Sequence, residues 1–174
     1  DNTEAVFQIA RKRAGELGIK TIIVASTTGE TAAKAVDALK GFKVVIVTHV
    51  TGSREPNVQP MTEENRRIVI AGGGLLVTTA HAFGSIDRAM RKSFNMMGLG
   101  ETIASVLRVF GQGMKVVCEI PLMAADAGVV RTDEEVISIG GTGRGADTAV
   151  VLNPVNTTDF FNLKVKEILC KPRF

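Results

Sequence analysis

The sequence predicts an α/β protein: a three-layer sandwich in which a mostly parallel sheet of about five strands lies between helices. Three observations carry this. Runs at 19–25 and 43–48 are short, β-branched and almost wholly apolar, as strands buried on both faces require. Between them lie stretches whose apolar residues recur at helical spacing. Glycines close those stretches, and strands that alternate with helices in this way pair in parallel through right-handed crossovers.

Taken in order, residues 3–17 set Val6, Ile9, Ala10, Ala14 and Leu17 on one helical face, with Thr3 as the expected cap and Gly18 as the stop. The strand at 19–25 follows, then a helix at 30–39 ending near Gly41, and a second strand at 43–48. A turn-rich stretch at 51–60 leads to a helix beginning near Thr62, capped and charged over 64–67 and ended by Gly72 to Gly74. Residues 75–79 give a third strand. Two helices are expected at 85–94 and 101–110, parted by a turn with Met96, Met97, Gly98 and Gly100. Residues 115–120 alternate like a strand whereas 122–127 look helical, and Pro121 is awkward in the interior of either. One helix over about 113–127, disturbed at Pro121, is the favoured reading. Strands at 136–139 and 148–152 flank a glycine-rich loop, and 163–169 closes the chain as an edge strand.

Length and composition fit one domain spanning 1–174: 45% of residues are apolar and 22% charged. The net charge of +3 is spread along the chain, and there is no Trp or Tyr to stack bases, so a dedicated nucleic-acid binder is not expected. The partner indicated is small and anionic. Cys118 and Cys170 lie far apart, with no CxxC and no His at ligand spacing, which points away from zinc or a disulfide framework and towards a reducing cytoplasm. No apolar run is long enough to span a membrane, and the N-terminus lacks the features of a signal peptide. The chain opens at Asp1 rather than Met, which points to a short upstream segment.

In open parallel sheets, ligands gather beyond the carboxyl ends of the strands. The loops there carry Ser26, Thr27, Thr28, Gly29 and Thr31 after the first strand, Thr48 and His49 after the second, Thr79 and His81 after the third, and "GGTGRGAD" from Gly140 to Asp147 after the fourth. Hydroxyls and N–H groups at a helix start can donate to phosphate oxygens, with Gly29 allowing close approach, although "STTG" alone also reads as a helix cap. Gly141, Gly143 and Ala146 satisfy G-x-G-x-x-A, but the loop leads into a strand, so it is not a dinucleotide fingerprint. Arg144 within Gly141, Thr142, Gly143 and Gly145 could clamp a phosphate or carboxylate; an exposed Arg at a hairpin tip is the plainer alternative. His49 and His81 are candidates for ligand contact or acid–base work. Neither has a nucleophile partner, and Asp126, Asp133, Glu134 and Glu135 read as structural.

The stretch "NTEAVFQIARKRAGELGIKTIIVASTTGETAAKAV", followed by "KVVIVTH", resembles the C-terminal α/β domain of pyruvate kinase, as does "EEVISIGGTGRGADTAVVLNP". Residues 84–130 depart from that domain. The more specific likeness is to stand-alone, largely archaeal proteins built on it. The resemblance implies no pyruvate kinase activity, because that chemistry belongs to a barrel domain this length cannot hold. It also implies that the Ser26–Thr31 turn holds the phosphate of an effector while the loop at 141–145 closes over it. Glu30, where a basic residue often follows the glycine, disfavours a bisphosphate. A mononucleotide such as FMN or a sugar phosphate is the expected ligand, with the Met-containing middle walling a flat group. An enzyme using His49 or His81, and a structural subunit or homo-oligomer, are the competing functions.

Overall fold

In the computed structural model, residues 2–173 are described. Helix α1 (Thr3–Leu17) leads into β1 (Thr21–Ser26), α2 (Glu30–Ala38), β2 (Lys43–Thr48), α3 (Glu63–Ala71) and β3 (Leu75–Val77). Then come α4 (Ser85–Phe94), α5 (Leu99–Leu107) with a 3-10 turn at Arg108–Phe110, α6 (Gln112–Asp126), β4 (Val136–Gly140), β5 (Thr148–Leu152) and β6 (Val165–Cys170). Among the described residues the sheet has six strands in the order β3-β2-β1-β4-β5-β6, matching the six runs read along the sequence, where the overall expectation was about five. The first four are parallel, but β5 runs antiparallel to β4 and β6 to β5. A connection of seven residues between β4 and β5 has no room for a crossover helix, so a hairpin is the only return.

Alternation along the strands divides the core. Ile22, Val24 and Ile46 face α1, α2 and α3, whereas Ile23, Val45 and Val47 face α6, and all six are buried. Helix α6 is therefore apolar on nearly every side. It contains Pro121, whose missing N–H frees the carbonyl of Val117 four residues earlier. The Ser138 hydroxyl of β4, fully buried, donates to that carbonyl at 2.9 Å, which accounts for both the proline and the buried serine.

Local caps differ from expectation at one point. Thr3 is not a cap: Asn2 precedes the helix, and the buried Thr3 hydroxyl instead accepts from the Ala146 N–H at 2.9 Å, tying α1 to the β4–β5 loop. Gly18 and Thr62 cap α1 and α3 as the sequence indicates. Helix α4 has no buried residue, so α4 and α5 form an excursion that leaves Ile86, Leu99 and Val109 exposed. Asp126 is structural, accepting from Asn156 and Thr157. No helix of the described residues is long and apolar enough to cross a membrane.

Candidate ligand-binding site

The carboxyl ends of β1, β2 and β4 open into one cavity of about 340 Å³. From β1 and the start of α2 it receives Ser26, Thr27, Thr28, Glu30 and Thr31. The turn is held from below: the Thr28 carbonyl accepts from the Thr62 N–H at 3.2 Å and the Asn65 amide at 3.0 Å. Ser26 Oγ accepts from Ala32 N–H at 3.2 Å, so this hydroxyl caps the first turn of α2. Gly29 does not line the cavity. It caps α2 at φ 94, and a Cβ there would lie 2.5 Å from the Asn65 Cβ, so glycine serves the packing of α2 on α3 rather than a ligand's approach.

Across the cavity stand Gly141, Thr142, Gly143, Arg144 and Gly145 of the β4–β5 hairpin. Asp147 braces this loop, accepting from Thr142 N–H at 2.9 Å and Thr148 Oγ1 at 2.7 Å. A Cβ on Gly141 would meet the Gly145 carbonyl at 2.3 Å, so the loop folds only with glycine there. Arg144 is exposed at the hairpin tip, as the plainer alternative expects, and it also lines the cavity.

Thr48, His49 and His81 line the third side, whereas Thr79, beyond the end of β3, does not. Thr48 Oγ1 lies 2.7 Å from Thr78 Oγ1, in a local network. The two imidazoles are stacked obliquely, with ring centres 4.5 Å apart. Val50 N–H donates to His81 Nε2 at 3.3 Å, which makes Nε2 the acceptor and places the ring hydrogen on Nδ1, 3.6 Å from Glu119 Oε2. Burial, and then the neighbouring His81, hold the His49 imidazole below its usual range.

The back wall is one face of α6, and here the sequence reading missed most. Gln112, Lys115, Glu119 and Met123 line it, joined by Arg88 of α4 and Arg108 of the 3-10 turn. Lys115 and Glu119 are almost fully buried and bonded to each other, and Glu119 Oε1 also accepts from the Phe83 N–H at 2.9 Å. Burial pushes the Glu119 carboxyl up, but His81, Lys115 and the Phe83 N–H outweigh it and bring the pKa down to about 2. Two charged residues, one helical turn apart in a helix otherwise apolar between its polar ends Gln112 and Asp126, were the available signal. Met96 and Met97, expected to wall the ligand, are instead exposed in the α4–α5 turn and absent from the lining. No group of three His, Cys, Asp or Glu among the described residues could hold a metal ion.

Architecture and cavity together define an α/β domain, a mixed sheet clad on both faces with its pocket at the carboxyl edge. The family described as "Pyruvate kinase, alpha/beta domain" matches residues 4–152, and the chain belongs to that family. Among solved structures it is similar to a pyruvate kinase from Cryptosporidium parvum, at 13% identity and a TM-score of 0.45, over 89% of this chain. A second structure of pyruvate kinase from that organism gives 12% identity and a TM-score of 0.43. The chain spans 23% of the length of each.

Proposed function

We propose that the domain binds a phosphorylated small molecule at the carboxyl edge of its sheet, without pyruvate kinase activity. The observation that carries this reading is that the Ser26–Thr31 turn, at the N-terminus of α2, and the Arg144 loop face each other across one cavity. The first turn of a helix leaves N–H groups without intrahelical acceptors and carries partial positive charge, which suits a phosphate. Arg144 supplies a planar donor pair from the opposite side. A mononucleotide such as FMN, or a sugar phosphate, is the ligand class to test first.

The test is native mass spectrometry of the purified protein with an absorbance scan over the flavin bands, followed by calorimetric titration of FMN and a sugar phosphate. The expected outcome is a bound phosphorylated mass, with affinity reduced about tenfold or more in Arg144→Ala, the scale of one charge-assisted hydrogen bond. Absence of binding to the wild type, or identical binding by Arg144→Ala and Thr28→Val, overturns the proposal. A protein that stays colourless and fails to bind FMN removes the flavin alone.

One observation favours a second reading, a small enzyme acting on that ligand. His81 Nε2 is taken by the Val50 N–H and its Nδ1 is buried beside Glu119, whereas His49 is held at Nδ1 by the Val50 carbonyl at 3.4 Å, which leaves His49 Nε2 as the ring nitrogen placed for proton transfer. His49→Gln would then abolish turnover while leaving affinity within twofold or so of the wild type. The exposed apolar side chains of α4 and α5 support a homo-oligomer as the working state, which light scattering of the wild type and an Ile86→Glu, Val109→Glu variant would test.

A further inference from the structure

We infer that the back of the cavity is a second anion subsite formed by Lys115, Arg88 and Arg108, and that the ligand belongs to the class of phosphorylated carboxylic acids. The inference rests on the proposed phosphate site only for the other end of the ligand. Lys115 is the anchor: its side chain is 10% exposed, it lines the cavity, and one of its three donors is taken by Glu119. Arg88 and Arg108 come from separate elements, yet both act on it. Burial lowers the Lys115 amine, Glu119 raises it, and the charges of Arg108 and Arg88 lower it again. Neither guanidinium is in a salt bridge among the described residues, although Arg108 Nε donates to Gln112 Oε1 at 2.6 Å, whereas neighbouring Arg91 is paired with Glu101 at 2.8 Å.

Three cations therefore face one carboxylate at a cavity wall. Such a group is relieved by a bound anion, and a planar carboxylate matches the guanidinium fork. The sheet order sets the Arg88 end of this group away from Arg144, whereas the start of α6, two residues before Lys115, packs against the β4–β5 hairpin at Asp147 and Thr148. His49 and His81, beside Arg88 and Glu119, follow β2 and β3 on one side of β1, whereas the Arg144 hairpin joins β4 to β5 on the other. In the strand order, the hydroxyl turn after β1 lies between the His49 loop after β2 and the Arg144 hairpin after β4, and all line the one cavity.

The test titrates inorganic phosphate into the full chain and follows, by NMR, the backbone amides of residues 27–31 and the Nε–H groups of Arg88 and Arg108. The expected result is saturable shifts at both arginines, with the Arg108 shift weakened in Arg88→Gln and the Arg88 shift weakened in Arg108→Gln while the turn amides still respond. Arginine shifts that grow linearly, as those of the surface residue Arg131 will, overturn the subsite. Silent turn amides with saturating arginines overturn the phosphate turn and leave the subsite standing. Calorimetry then compares 3-phosphoglycerate with glycerol 3-phosphate. The acid should bind about tenfold more tightly, with the preference lost in the Arg88→Gln, Arg108→Gln double variant. Equal affinity, binding of neither, or a preference for FMN over the acid overturns the assignment of the ligand class.

Discussion

Replacing Glu119 with Gln removes the carboxylate bonded to Lys115 and keeps the side chain's shape. The magnitude follows from the structure in two ways. The carboxyl falls from 4.5 to about 2 on folding, which at 1.36 kcal/mol per tenfold change corresponds to about 3 kcal/mol. Stranding a buried ammonium by deleting its partner costs about 3–5 kcal/mol by a separate route. A carboxyl depressed by folding stabilises the protein above its unfolded value, so the contribution is present above pH 4.5 and disappears as pH falls towards about 2. Urea denaturation followed by far-ultraviolet circular dichroism is the assay, because the sequence has no Trp or Tyr to report by fluorescence. Glu119→Gln should lose about 3 kcal/mol at neutral pH and show a flatter acid limb. Combining Lys115→Met with Glu119→Met should recover most of that loss, since an apolar pair leaves no charge unpaired. A single-variant loss below about 1 kcal/mol, or a double variant that loses the sum of both singles, refutes the account of the pair.

Three further outcomes are expected. Gly113→Ala places a Cβ 2.1 Å from Thr148 Oγ1 and 2.7 Å from Asp147 Oδ1, so α6 must move off β5, costing about 1–3 kcal/mol in thermal or urea unfolding. Ser26→Ala leaves the Ala32 N–H without its acceptor and should cost about 1 kcal/mol, read in the same assay. Cys118 is buried in apolar surroundings that push its thiol up to about 11, so it should resist a thiol reagent at mildly alkaline pH until the protein is unfolded.

The parallel half of the sheet was legible because its strands are buried on both faces and announce themselves as continuous apolar runs. β2 and β5 begin and end where the sequence places them. The single helix through Pro121 was the favoured reading and is present, but what meets the cost of the proline, Ser138 bonding the Val117 carbonyl from 21 residues away, no local pattern could disclose. The same limit governs the site. The hydroxyl turn and glycine loop are local motifs and were readable, whereas Gly29 proved a packing glycine because Asn65 stands against it from another helix. Arg88, Arg108 and Lys115 come together only through the α4–α5 excursion, where periodicity fixes helices but not the direction they take.

The central place of β1 also bears on how the protein comes to be made. Its pairing with β2 closes over one helix, but on its other edge Thr21 is registered with Val136 of β4. Closing so long a stretch is entropically demanding and slow. A chain emerging from the ribosome can build the β1–α2–β2 unit early, yet its pocket lacks a wall until the β4–β5 hairpin has been synthesised and seated. On the proposed function, occupancy of that pocket would report completed folding, and a ligand present during synthesis would draw the last, slow pairing towards the native state by mass action.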